Sequence, residues 1–541
     1  MSVIARFPWP LNVADYDSDR LFRLPRNVVR VYSDNGHYFA VDENDRVICR
    51  DSNTACIQEA IDHVKNGGKV LIKKGEYYVD AVRTVSIWPD VSSINANPPT
   101  QTYNNAILID RASYLTIEGE GSATRIVAKP GVDLMIYVHE SQFVTIRNLL
   151  LDGNKQNQTW QYHDGAGLIL SGGKRIGNRY ENLTLMNSRG DGLYLGSNVS
   201  NGGTDIYEHA VQISGITCIN NDMRCLVMDN VVGATASNIV SYYDAETLHL
   251  ISVFTRIPVV VDGVYSHNPR VKAYEMYYGV AVIRNMTVSV NDINALSSGV
   301  VIDAGMEFEI TLENVLIDVN LPRTDSIYGI RIRNPGYSYG SQYVTKAYIR
   351  NAFVRIISSG ANLAYRFEGD VDAVVQNSVS DPINKYGFTA QSATGNNYPI
   401  VRIIGCAGGA QYDLLGSYIG SGASGIPTVE VYNFVPLSGS IYAYGNIILD
   451  KPYNLSVWEA TRLRYRKNYG RAVFSGDGAT TTFTIPHRLI SAPNNVIITP
   501  GSANATGNFY VTADSNNINI IYSTPPPSGT NNVVIYWYAE V

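Results

Sequence analysis

Asp191-Gly192-Leu193-Tyr194-Leu195 decides the fold, because the chain repeats its pattern along most of its length. The same x–Gly–apolar–x–apolar element reads Ala166-Gly167-Leu168-Ile169-Leu170, Glu246-Thr247-Leu248-His249-Leu250 and Tyr278-Gly279-Val280-Ala281-Val282. It returns as Ser298-Gly299-Val300-Val301-Ile302, Tyr328-Gly329-Ile330-Arg331-Ile332 and Tyr386-Gly387-Phe388-Thr389-Ala390. Arg224-Cys225-Leu226-Val227-Met228 fits with cysteine in the glycine place. Alternation of period two turns Leu193 and Leu195 inward and Tyr194 outward. A glycine ahead of each short strand suits a tight corner with positive φ.

Between these copies runs a second element, apolar–x–Asn/Gly–apolar, read as the start of another short strand. It appears as Ile146-Arg147-Asn148-Leu149, Tyr180-Glu181-Asn182-Leu183, Ile213-Ser214-Gly215-Ile216 and Ala236-Ser237-Asn238-Ile239. Val261-Asp262-Gly263-Val264, Ile283-Arg284-Asn285-Met286, Leu312-Glu313-Asn314-Val315, Ile349-Arg350-Asn351-Ala352 and Val375-Gln376-Asn377-Ser378 continue it. The spacing is irregular, roughly 22 to 37 residues, which suits a solenoid with variable loops. One coil cannot bury its own face, but a stack of about ten can. The expected fold is all-β, a parallel β-helix. Residues 53–64 read as an amphipathic helix with Ser52 or Asn53 as N-cap, closing the open end of the stack.

Composition narrows the function. The net charge of −6 leaves no basic stripe to neutralise phosphates, which argues against nucleic acid and against polybasic membrane attraction. No run of 18 apolar residues occurs, so membrane insertion is not expected. Tyrosine is abundant, 38 residues against 13 phenylalanines, as on faces that stack and hydrogen-bond with sugars. Five cysteines in so long a chain make no disulfide framework. Cys49–Cys56 and Cys218–Cys225 are local enough to pair, but buried free thiols are the expectation. The cysteine and histidine spacing fits no zinc site, and neither a metal nor another cofactor is expected. The first twenty residues lack the basic-then-apolar pattern of an export signal.

Asp51-Ser52 through Ile57-Gln58-Glu59-Ala60-Ile61-Asp62, then Gly67-Gly68-Lys69-Val70 and Gly75-Glu76-Tyr77-Tyr78-Val79, resemble the opening of the pectate-lyase-like β-helix superfamily. Leu115-Thr116-Ile117-Glu118-Gly119-Glu120-Gly121 and Leu151-Asp152-Gly153-Asn154 fit the same pattern. The resemblance implies a right-handed coil. It is specific for fold and weak for reaction, because the superfamily includes polygalacturonases, lyases, viral tailspikes and non-enzymatic adhesins. Gly476-Asp477-Gly478-Ala479-Thr480, Thr499-Pro500-Gly501-Ser502-Ala503 and Pro525-Pro526-Pro527-Ser528-Gly529 resemble a small antiparallel β-sandwich appended to viral tail and spike proteins. The domain reading is therefore residues 1–45 as an attachment segment, 46–450 as β-helix, 451–470 as a connector or neck, and 471–541 as the sandwich.

Stacking converts the repeat into geometry, since rungs lie about 4.8 Å apart. The position before each glycine forms a column of Ala166, Asp191, Arg224, Glu246, Tyr278, Ser298 and Tyr328. Asp191 and Glu246 are then roughly 9–10 Å apart, close to the about 6.5–9.5 Å between the acid and base of an inverting glycosidase. A neighbouring outward column carries Tyr194, Val227, His249 and Ala281, with Arg331 and Arg366 beyond, and the strand ends carry Asp229, Asp303 and Glu368. Asp191, Glu246 and His249 are the catalytic candidates, and Arg224, Asp229, Tyr194 and Tyr278 the groove residues that bind substrate. A carboxyl beside a second acid has its pKa raised enough to donate a proton, while its partner near Arg224 stays ionised. A competing cluster is Asp152, His163 and Asp164, where Trp160 and Tyr162 suit stacking on a sugar ring. Asp152 reads as structural, the first residue of a turn.

These features point to a viral tailspike or receptor-binding spike, a homotrimer at the virion surface joined to the particle through its N-terminus. It binds host-surface polysaccharide, and inverting endo-hydrolysis is the favoured chemistry. A free extracellular lyase or hydrolase and a non-catalytic glycan-binding adhesin stay open. Arg224 and His249 keep the lyase alternative alive, although no acidic loop resembles a calcium cage.

Overall fold

The computed structural model describes residues 27–541, apart from 88–100, 160–166, 173–174, 197–207, 230, 252–257, 306–307, 335–343, 382–383, 385, 393–398, 409–411, 419–426, 437–439, 444–445, 454–455 and 459–462. The chain is a right-handed parallel β-helix followed by a small antiparallel unit. One ribbon, called here the site sheet, stacks Ile107, Ile136, Ile169, Leu193, Leu226, Leu248, Tyr274, Ile302, Ile330, Tyr365 and Phe388 in parallel register. All of them are buried, so period two becomes an apolar column through the core.

The second ribbon bends in mid-strand, and the second sequence element marks the bend. Asn148, Asn182, Asn238, Asn285, Asn314, Asn351 and Asn377 all have φ between 50° and 56°. Gly215 and Gly263 occupy the same place at 65° and 75°. Asn and Gly are the residues that adopt this left-handed conformation at least cost. Residues on either side of each bend pair separately with the next rung, as Arg147 with Glu181 and Leu149 with Leu183. The amides also form a ladder, Asn314 Nδ2 donating to Asn285 Oδ1 at 2.9 Å and Asn351 Nδ2 to Asn314 Oδ1 at 3.1 Å. The motif was expected to begin a strand; it turns a corner within one.

The glycines of the first element divide into two kinds. Gly167, Gly279 and Gly299 take positive φ. Gly192 does not, and its reason is space: an added Cβ would lie 2.7 Å from the Cys225 carbonyl oxygen and 3.1 Å from Cys218 Sγ. Two disulfides, Cys49–Cys56 and Cys218–Cys225, replace the expected free thiols, and Cys406 is a buried free thiol. Cys218 lies near the end of one strand of the coil and Cys225 near the start of the next, while Cys49 lies in a strand of the N-terminal cap and Cys56 at the N-cap of the capping helix.

The capping helix spans Ile57–Val64 and buries Ile57, Ala60, Ile61 and Val64 against the stack. Its N-cap is Cys56, not Ser52 or Asn53. Asp51 holds the preceding turn instead, its Oδ1 accepting from the backbone N–H of Asn53 and Thr54. Asn27–Asp34, within the stretch expected to form an attachment segment, pairs in parallel with Gly68–Ile72. At the other end, Ile447 of the stack pairs with Leu463. Beyond it, Gly529–Glu540 lies between Lys467–Gly476 and Asn495–Pro500, and Asn517–Tyr522 lies between Thr482–Pro486 and Phe509–Ala513. These two antiparallel sheets share a core containing Phe483, Ile485, Ile518, Ile520, Val533 and Ile535.

One rung differs from the sequence expectation. Lys272–Val290 is a single strand of 19 residues that serves both ribbons. Lys272-Ala273-Tyr274-Glu275-Met276 takes the place in the site sheet expected for Tyr278-Gly279-Val280-Ala281-Val282, with Glu246 opposite Lys272 and His249 opposite Glu275. Ala281 and Val282 already pair in the bent ribbon, opposite Val259 and Val260. Tyr278 is thus outside the Asp191–Glu246 row. Alanine in the glycine place concealed the rung.

Candidate functional site

The outward face of the site sheet carries a charged cluster over the apolar column. One row places Arg224, Glu246 and Lys272 on successive rungs, with Asp191 one rung before Arg224. The next runs Tyr194, Val227, His249, Glu275, Asp303, Arg331 and Arg366. These residues were expected to line an open groove. Asp191, Arg224, Asp229, Glu246, His249, Glu275 and Asp303 are in fact buried. Burial raises the cost of every unpaired charge, and the cluster is extensively paired.

Asp191 is held by Arg224: Nε donates to Oδ1 at 2.9 Å, Nη2 to Oδ2 at 3.3 Å, and the Arg224 backbone N–H to Oδ1 at 3.1 Å. The guanidinium also lies 5.9 Å from the centre of the Tyr194 ring, and the Tyr194 hydroxyl donates to Asp229 Oδ2 at 3.0 Å. The Asp191–Arg224 pair and the Tyr194–Asp229 hydrogen bond hold this half of the cluster together.

The other half centres on three groups from two rungs. His249 Nδ1 lies 2.7 Å from Glu246 Oε2 and 3.5 Å from Glu275 Oε2. Glu246 and Glu275 bring carboxylate oxygens within 4.8 Å of each other. Burial pushes the Glu246 carboxyl above the usual range, against the pull of Arg224 and Lys272. Burial first, and the Glu246 charge second, do the same to Glu275. The Tyr277 ring centre is 5.5 Å from that of His249, and burial together with the charge of Glu275 raises its phenol. Lys272 Nζ bonds Glu275 and lies 3.3 Å from Asp303 Oδ2. Among the described residues, Glu246, His249 and Glu275 offer ligand atoms within 4.8 Å of one another and could hold a metal ion. The Lys272 ammonium already provides a cation to that group.

Asp303 binds two guanidinium groups. Arg331 donates from Nε and Nη2 at 3.1 and 2.6 Å, and Arg333 from Nε and Nη2 at 3.0 and 3.2 Å. Burial would raise the Asp303 carboxyl, but the Arg331 hydrogen bond, with the charges of Arg333, Arg331 and Lys272, outweighs it and holds it below the usual value.

Of the sequence candidates, the structure therefore gathers Asp191, Arg224, Glu246, His249, Tyr194 and Asp229. Trp160, Tyr162, His163 and Asp164 lie outside the described residues, as does the side chain of Tyr278. Asp152 pairs with Arg125 and accepts from the Asn154 backbone N–H at 2.8 Å, a structural turn as read. Lys272, Glu275, Tyr277 and Arg333 were missed. The alternation of Ala273, Tyr274, Glu275 and Met276 was the available signal.

No family model and no curated protein matches the chain. Solved structures do. A tailspike protein mutant of E. coli bacteriophage HK620, in complex with pentasaccharide, aligns with a TM-score of 0.49 at 11% identity, over 92% of this chain and 92% of that chain. The tailspike protein gp49 from Pseudomonas phage LKA1 gives 0.46 at 11% identity, over 91% and 94%. The A-module of an Azotobacter vinelandii mannuronan C-5 epimerase gives 0.45 at 14%, over 74% and 94%. The likeness is to the course of the β-helix and assigns no reaction to this chain.

Proposed function

We propose that the protein binds a polysaccharide along the outward face of the site sheet and hydrolyses a glycosidic bond there, with Glu246 and Glu275 as the acid–base pair. The observation that carries this reading is the close approach of the two buried carboxyls beside His249. Burial raises both carboxyls above their usual range, and the charge of Glu246 raises Glu275 further, which favours a proton on one of them. The protonated member protonates the leaving glycosidic oxygen, and the ionised member takes a proton from the attacking water. An inverting path needs the pair opened to about 6.5–9.5 Å by the entering sugar and water. His249 positions both carboxyls. Asp191, first of the expected pair, positions Arg224.

Elimination is the second reading, supported by the Tyr277 ring beside His249: a phenol and an imidazole at one locus suit proton abstraction and return. The wider reading is a homotrimeric spike at a virion surface, with host glycan as its partner. Its support is the resemblance of residues 476–541 to spike sandwiches.

The test is incubation of the full chain with surface polysaccharides of candidate hosts, analysing the products. New reducing ends without unsaturation mean hydrolysis, and an unsaturated sugar at the new end means elimination. Binding without shortening makes the protein an adhesin. Light scattering checks the trimer, and a clean monomer would count against the spike.

A further inference from the structure

At the basic end of the cluster two guanidinium groups and an ammonium meet on one buried carboxylate. Asp303 has a side chain only 1% exposed, yet it faces Arg331, Arg333 and Lys272. Lys272 is shared with Glu275.

Each guanidinium spends Nε and Nη2 on Asp303. Among the described residues, Nη1 of both has no hydrogen-bond partner, and the two side chains keep 21% and 31% of their surface exposed. They are therefore fixed from behind and open in front, an arrangement preorganised for a planar anion. Gly305 admits this geometry, since an added Cβ would lie 3.0 Å from Arg333 Cγ. Tyr328 backs the same spot, its ring centre 5.8 Å from the Arg331 guanidinium and 4.6 Å from that of Arg366. Arg331 stands two rungs from Glu275, roughly 9–10 Å along the stack, or one to two sugar units from the carboxyl pair.

We infer that Arg331 and Arg333 form a carboxylate-binding subsite, so that the polysaccharide is an acidic one whose uronate or ulosonate unit docks beside the cleaved bond. The inference rests on the proposed function for the place of the cleaved bond, but the subsite itself is independently measurable.

The test titrates the full chain with the methyl glycosides of glucuronic, galacturonic and N-acetylneuraminic acids, against methyl glucoside, methyl galactoside and the carboxyl-reduced neuraminic glycoside, by calorimetry or ligand-observed NMR. At least one acid is expected to bind about tenfold tighter than its neutral counterpart, with the advantage falling as salt rises. Arg333→Gln should erase that advantage and Arg333→Lys should restore part of it, with circular dichroism melts confirming that both variants fold. Equal binding of acids and neutral glycosides, or binding of neither, overturns the subsite. Cleavage of a neutral host polysaccharide with no acid preference would sink the subsite while leaving hydrolysis standing. Acid binding without cleavage of any glycan would do the reverse.

Discussion

Glu246 and Glu275 stand on neighbouring rungs and meet at one imidazole, His249 Nδ1 lying 2.7 Å from Glu246 Oε2 and 3.5 Å from Glu275 Oε2. Their strands pair His249 directly with Glu275, so the backbone register of the stack holds the contact. Burial raises both carboxyls above their usual range, and the charge of Glu246 adds to the rise at Glu275.

Replacement of either carboxyl should therefore stop the chemistry without unfolding the coil. Glu246→Gln and Glu275→Gln are each expected to lower cleavage by about 10²–10⁴-fold, the usual range for a lost acid or base. Product formation on a bound glycan checks it, with circular dichroism melts as the folding control. Wild-type rates in both variants would remove the pair from the mechanism.

A second buried acid predicts a pH effect on stability. Asp244 is fully buried and its carboxyl is pushed up to about 7 by burial, against hydrogen bonds from Ser241 and Asn221. Its folded pKa lies above the unfolded one, so its contribution is full below about 4 and is lost as pH rises through about 7. Asp244→Asn should flatten the fall in melting temperature across that window. An unchanged pH dependence in the variant would contradict the assignment.

The corner asparagines should be replaceable by glycine but not by alanine. Asn182 has φ 52°, so Asn182→Ala is expected to cost about 1–2 kcal/mol, with Asn182→Gly milder. Urea unfolding of the two variants compares them directly. A stability order with alanine above glycine would refute the role of the bend.

Gly192 is predicted to be intolerant for a different reason. A Cβ there meets the Cys225 carbonyl oxygen at 2.7 Å, so Gly192→Ala should destabilise by about 1–3 kcal/mol. It should also disturb Arg224, the residue before Cys225, and weaken glycan binding. A variant with wild-type stability and binding would show that the corner can relax.

What the sequence by itself determined was local. Alternation in Leu193-Tyr194-Leu195 and its repeats required one buried and one outward face, and Asn or Gly at a fixed place marked where the chain can turn left-handed. Those properties belong to a few consecutive residues, so the β-helix and the row from Asp191 through Arg224 to Glu246 were legible. Which rung comes next is not local, because loops of unequal length separate the repeats. The unrecognised strand beginning at Lys272 moved Tyr278 out of the row and brought Lys272 and Glu275 in. Only the tertiary structure could decide that Glu246 meets Glu275 while Asp191 is bound to Arg224. Charge pairing across rungs depends on which side chains the stack makes neighbours and on how completely water is excluded around them.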